Sequence, residues 1–202
     1  MRVSDLFYNR TKNTGLFNIQ AIDNIPSIMK YGILSNEKAK GIEHESIAME
    51  EVQQRRDKIR VPNGLNLHQY ANLYFDPRNP MLSARRLQNE NLCILKVDCT
   101  IMNFKGVVLS DRNASSEYAC FYTPEKGLEK IDFDIVYQKW WTDENPYEQM
   151  RKKSIKCAEV LIPYKVPYDF VVGAAVINDE AKKKLELKGF DKKIYVEEKM
   201  FF

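Results

Sequence analysis

Leu67-His68-Gln69-Tyr70-Ala71-Asn72-Leu73-Tyr74-Phe75, closed by Asp76-Pro77, decides the fold class of this 202-residue chain. Apolar and aromatic side chains recur at alternating positions and a proline-containing turn follows, which is the pattern of a strand. Outward from it, residues 16–22, 92–97, 106–109, 118–122, 159–162, 170–177 and 194–202 read as further short strands bounded by Pro, Gly, Asn or Asp. Helices are predicted over 127–138, over 146–156 behind Asn145-Pro146, and over 179–187 ending at Gly189. A shorter one follows Asp23-Asn24-Ile25-Pro26, a cap with proline in the first turn, and stops at Gly32. Strands and helices do not alternate regularly, so the predicted class is α+β rather than a doubly wound parallel sheet. Residues 43–56 are polar around Ile47, Met49 and Val52, a segment with little core of its own that could move on binding.

The 44% hydrophobic and 11% aromatic content excludes a disordered chain and suffices for one domain with a sizeable core. No apolar run approaches the ~20 residues that cross a bilayer, and the N-terminus lacks a basic flank with an apolar stretch behind it, so a soluble, cytoplasmic protein is expected. Cys93, Cys99, Cys120 and Cys157 form no CxxC pair, and only His44 and His68 could join them. Neither a disulfide framework nor a zinc site is suggested.

The net charge of +3 is unevenly spread: residues 101–150 carry −4, whereas 51–100 and 151–202 carry +3 and +4. Within 52–86, Arg55, Arg56, Lys58, Arg60, Arg78, Arg85 and Arg86 face only Asp57 and Asp76. Arginine is favoured where phosphates are gripped bidentately, so a phosphate-bearing partner stands beside the alternative of a solvated face. No P-loop, GxGxxG, GxSxG or HExxH is present. What remains is Arg55-Arg56 before the Val61-Pro62-Asn63-Gly64 turn, a reasonable anion clamp; the aromatic run 67–82, in which Leu73 and Phe75 read as core; and Glu159 at the mouth of Val160-Leu161-Ile162. Glu159 is either a catalytic carboxylate or an exposed edge charge, and Cys157, with no histidine near it in sequence, reads as buried.

Five ordered blocks carry a resemblance. They are residues 23–28 with Gly32-Ile33-Leu34-Ser35; Leu67-His68-Gln69-Tyr70 with Tyr74-Phe75-Asp76-Pro77-Arg78-Asn79-Pro80-Met81-Leu82; Ser110-Asp111-Arg112-Asn113-Ala114; Ile131-Asp132-Phe133; and Arg151 through Ala158-Glu159-Val160-Leu161-Ile162. Together they resemble the DarT family, the toxin of the DarTG toxin–antitoxin system and a DNA ADP-ribosyltransferase. The resemblance spans most of the chain and implies one domain over 1–202. It implies a compact ADP-ribosyltransferase fold of two small antiparallel or mixed sheets flanked by helices, with NAD as co-substrate in the cleft between them, no metal, and transfer to thymine or guanine of single-stranded DNA.

By the same resemblance Glu159 is the catalytic glutamate, and Arg56 contacts NAD and helps deprotonate the base. Asn18, Ile19 and Gln20 fall where the first strand meets the dinucleotide, with Ser27 and Ser35 on its flanks and His68 and Tyr70 in the same set. Residues 38–57 match a loop covering NAD, and 110–158 a target-recognising region. Arg55, Arg78, Arg85, Arg86 and Asn113 fall to DNA. The implied partner is a macrodomain antitoxin that removes the modification, and the chain is expected to be a monomer. Many relatives have His-x-Thr-His where this chain has Asn18-Ile19-Gln20-Ala21; Asn still donates and accepts hydrogen bonds. The rival readings are the same transfer aimed at RNA or protein, and a nucleic-acid-binding module without catalysis.

Overall fold

A computed structural model describes residues 1–47 and 49–202. Among these the chain runs α1 (Val3–Thr11), β1 (Gly15–Ala21), α2 (Ile25–Tyr31), β2 (Ile33–Leu34), α3 (Asn36–Ala39), α4 (Glu50–Asp57), β3 (Tyr70–Tyr74), α5 (Pro80–Ala84), β4 (Leu92–Asp98), β5 (Val108–Ser110), β6 (Phe121–Tyr122), α6 (Pro124–Lys130), α7 (Phe133–Val136), α8 (Pro146–Ile155), β7 (Glu159–Pro163), β8 (Lys165–Val166), β9 (Val171–Val176), α9 (Asp179–Leu187) and β10 (Lys193–Val196).

Strand alternation sets the layers. β1 turns Leu16 to one face and Phe17, Ile19 and Ala21 to the other, and β3 and β4 divide their apolar residues in the same way. The first face carries the larger core, in which Leu73, Phe75, Leu95 and Val160 pack beneath Phe7 of α1 and Phe133 of α7. The Phe75 and Phe133 rings meet edge to face, 5.3 Å apart.

Two sheets flanked by helices are present, and they are unequal. One has eight strands in the order β10-β9-β4-β1-β3-β7-β5-β6, antiparallel except for β9 with β10, and β2 pairs with β8 in the other. The large sheet is nonetheless two halves. β1 pairs with β4 from Gly15↔Asp98 to Ala21↔Leu92, and β3 pairs with β7 from Tyr70↔Pro163 to Tyr74↔Glu159, but β1 meets β3 only at Phe17↔Tyr74. Beyond that one pair the halves part, and the cavity opens between them, within one large sheet rather than between the two small sheets expected.

Several elements differ from the sequence reading. The helix expected over 127–138 is broken at Ile131-Asp132, where Asp132 Oδ1 accepts the Ile135 N–H and starts α7 afresh. Residues 67–69 form a 3-10 turn, so the strand begins at Tyr70; the last strand stops at Val196 and a 3-10 turn follows. α5 is fixed by the buried Asn79, whose Oδ1 accepts the N–H groups of Met81 and Leu82. Gly32 does stop α2, at φ +84°, and a Cβ there would lie 2.3 Å from the Val166 carbonyl oxygen, so only glycine lets β2 approach β8. Lys156 is fully buried and its Nζ donates to Asp76 Oδ2 and the Val136 carbonyl, each at 2.8 Å, and to the Gln138 carbonyl. One cation thereby ties the segment around α7 to the turn after β3.

Candidate active site

Glu159 opens β7 and is buried, as register with Tyr74 of β3 and Ser110 of β5 requires of a strand flanked on both sides. Its two carboxylate oxygens each lie 3.0 Å from Arg56 Nη1, Oε1 also accepts the Ala114 N–H at 3.0 Å, and its own N–H donates to Ser110 Oγ. Arg56 is the only buried residue of α4, so that helix is held to the fold by charge rather than by an apolar face. Both partners are desolvated, a condition under which removing either one alone is costly.

The pair stands at the wall of a cavity of about 520 Å³, within the roughly 300–1,000 Å³ that small-molecule and cofactor sites occupy. Burial, with the Glu159 charge second, pushes the Tyr74 phenol far above its ordinary range, so it stays a neutral hydroxyl beside the carboxylate. Cys157 also lines the cavity, but burial first and Glu159 second push its thiol up to about 12, and it is no nucleophile.

The opposite wall is a chain of amides. Asn18 Nδ2 donates to the Asn72 carbonyl across the splayed strands at 3.0 Å, and Gln20 Nε2 donates to Asn18 Oδ1 at 2.7 Å. Asn24 Nδ2 donates to Gln20 Oε1 and to the Glu45 carbonyl, while its Oδ1 accepts the Glu45 N–H. Asn24, read from sequence as a cap, therefore pins the 43–47 segment by both backbone groups instead. Arg85 Nε makes a second tie at the Ile47 carbonyl, 2.8 Å away. In the loop expected to cover NAD, residues 38–57, much of one cavity wall is supplied; Ala48 of that loop lies outside the described residues.

The cavity brings together Asn18, Ile19, Gln20, Ser27, His68, Tyr70, Arg55, Arg56, Arg85, Asn113 and Glu159. It does not include Ser35, which is fully buried and caps α3 by accepting the Lys38 N–H. Arg78 and Arg86 line a separate groove near Phe202. Tyr70 contributes its ring, its hydroxyl being taken by the Leu65 N–H. Sequence reasoning passed over Asn24, Asn72 and Tyr74; the last is found only once β3 is paired with β7, since nothing in the run 67–82 marks which tyrosine faces Glu159.

The residues present fit a dinucleotide. Both ring nitrogens of His68 are buried with no hydrogen-bond partner among the described residues; Asp57 Oδ1 lies 3.2 Å from Nδ1 but without hydrogen-bond alignment. Burial, then the Arg56 charge, lower the His68 pKa against the opposing pull of Asp57, so the ring is neutral and can both donate and accept. Among the described residues no cluster of three or more His, Cys, Asp or Glu is placed to hold a metal, and no helix is long and apolar enough to cross a membrane.

The fold matches that of Thermus sp. 2.9 DarT, solved in complex with ADP-ribosylated ssDNA, at a TM-score of 0.80 and 23% identity over 95% of this chain and 97% of that one. In sequence the chain is 31% identical over 182 residues to a DNA ADP-ribosyl transferase-DNA ADP-ribosyl glycohydrolase fusion protein of Thermosipho africanus, covering 85% of this chain and 44% of that protein. It is 29% identical to a DNA ADP-ribosyl transferase of Thermus sp., covering 82% of each. A split sheet with a desolvated carboxylate in its cleft is what this chain builds on that shared fold. A family model described as "ssDNA thymidine ADP-ribosyltransferase, DarT" matches residues 17–202, and the chain belongs to that family. It spans less than half the length of the Thermosipho fusion protein.

Proposed function

We propose that this chain transfers ADP-ribose from NAD+ to thymine in single-stranded DNA, with Glu159 as the catalytic carboxylate. The observation that carries the reading is the Glu159 side chain, buried, held by Arg56 and Ala114, and facing a cavity of dinucleotide size. As the bond between ribose C1′ and nicotinamide breaks, its electron pair leaves with the ring and positive charge develops on the sugar. A fixed anion beside that sugar gains more from the transition state than from neutral-sugar substrate, which is the differential binding that accelerates a reaction. The ring nitrogen of thymine then supplies the pair for the new C–N bond, and its proton passes to Glu159. Arg56 stays protonated throughout, so its part is to hold the carboxylate and the dinucleotide rather than to accept the proton.

Asn18, in place of the histidine common in relatives, supports the ribose through its amide, already oriented by Gln20 and the Asn72 carbonyl. The 38–57 segment serves as the cover over NAD+ and 110–158 as the acceptor-recognising region. An unpaired base reaches the cavity more cheaply than one that must be flipped from a duplex. The cytoplasm, where four free thiols persist, is the expected compartment, and a glycohydrolase that removes the product is the expected antagonist. Mass spectrometry of nucleosides from single-stranded DNA incubated with protein and NAD+ tests the proposal. Thymidine carrying ADP-ribose is the expected product; label recovered only on RNA or protein, or no nicotinamide release, refutes it.

A further inference from the structure

Arg78 and Arg86 lie outside the cavity because they belong to a second groove on the other side of α5. Four cations line it, Arg78, Arg86, Lys139 and Lys199, against Asp76 and Glu198, and Asp76 is already paired with Lys156 at 2.8 Å. Its floor is aromatic. The Arg78 guanidinium carbon stands 4.1 Å from the Phe202 ring centroid and 4.8 Å from that of Trp140, and Phe202 packs edge-on against both Trp140 and Trp141. Arg78 Nη1 donates to the Lys199 and Phe201 carbonyls, which fixes the guanidinium under Trp140. Trp140 keeps half of its surface exposed. A rigid, half-exposed tryptophan ringed by cations is the composition of a single-strand stacking platform.

The groove lies beside the site already described, across α5. Pro80, Met81 and Arg85 face the cavity while Ser83 and Arg86 face the groove, so the width of one helix, about 10–12 Å, divides them. A strand with its target base in the cavity reaches the groove within a few nucleotides. We propose that this groove binds the DNA flanking the target, with one base stacked on Trp140 and the backbone held by Arg86, Lys139 and Lys199. The inference rests on the acceptor being single-stranded DNA.

Of the chain's two tryptophans, Trp140 lines the groove and Trp141 packs on its Phe202, so intrinsic fluorescence reports on it independently of catalysis. Titrating the wild-type protein, without NAD+, with a 20-nucleotide oligo(dT) is expected to quench that fluorescence, with an affinity that falls steeply as salt rises. In turnover, KM is expected to be lower for a long oligonucleotide than for a five-nucleotide one carrying the same target. Trp140→Ala is expected to reduce that length advantage about five- to tenfold, the scale of one lost stack, and Trp140→Phe to restore most of it. Absence of quenching, or a length advantage intact in folded Trp140→Ala, overturns the proposal and leaves the groove to a protein partner. Should the wild-type enzyme modify no oligonucleotide at all, the functional reading fails, while the fluorescence titration still decides the groove.

Discussion

Replacing Glu159 by Gln is the sharpest probe of the mechanism because the structure separates what is kept from what is lost. The amide retains the side chain's volume and one carbonyl oxygen for the Ala114 N–H, 3.0 Å away in the wild type. It presents an N–H₂ donor to Arg56 Nη1, where both carboxylate oxygens now sit at 3.0 Å, and it removes the negative charge. Loss of one preorganised electrostatic group costs about 10²–10³ in rate, or roughly 3–4 kcal/mol of transition-state stabilisation. Ground-state NAD+ binding has less to lose, since the anion matters most once the ribose is cationic. Stability falls as well. Breaking a buried pair costs about 3–5 kcal/mol when the surviving ion cannot move, and Arg56, beside the cavity, can turn toward water, so a Tm drop of roughly 5–10 °C is expected. Single-turnover transfer to a thymine oligonucleotide, with NAD+ affinity measured by calorimetry well below the variant's Tm, separates the terms. A rate within tenfold of wild type, or a loss carried wholly by weaker NAD+ binding, refutes the assigned role.

Lys156→Met leaves Asp76 without its cation and two carbonyls without their donor; a loss of about 3–5 kcal/mol, hence a Tm lower by roughly 6–20 °C, is expected by calorimetry, and a drop under about 3 °C contradicts the staple. His68 has its pKa lowered below 6.5 by burial and Arg56, so the folded state binds fewer protons than the unfolded one just below that value. Its contribution to stability is therefore intact above about pH 6.5 and declines as pH falls, and His68→Gln is expected to narrow the Tm difference between pH 7.5 and 5.5. An unchanged difference would count against a neutral, buried ring. Cys93 and Cys157 are pushed up to about 12 by burial and Cys120 is exposed, so alkylation of native protein at pH 8 is expected to label Cys120 fast and those two only on unfolding, as peptide mass spectrometry would report.

What sequence could and could not supply divides along the range of the interactions. Strand existence, the Gly32 stop and the break after Lys188 at Gly189 are written in near neighbours, through period-two alternation and left-handed glycines, and they stand as read. The 127–138 reading failed on the same scale, because Asp132 offered an internal cap that outweighed the helical periodicity around it. The site is another matter. Arg56 and Glu159 are 103 residues apart, and Tyr74 and Glu159 share a register position only because β3 lies beside β7. The family resemblance pointed to Glu159 and Arg56, yet no spacing rule distinguishes Arg85, which reaches the Ile47 carbonyl inside the cavity, from Arg86, which looks into the neighbouring groove. Arg85 closes α5 in a non-helical conformation and Arg86 opens the 3-10 segment that follows, so the end of one short helix divides an arginine-rich stretch between two surfaces. The basic run 52–86, read as facing either a phosphate-bearing partner or solvent, is divided between two surfaces, with Arg55, Arg56 and Arg85 at the cavity and Arg78 and Arg86 at the groove. The cavity itself follows from the single Phe17↔Tyr74 pair, since a sheet closed along the whole of β1 and β3 would leave no cleft for Arg56 and Glu159 to face.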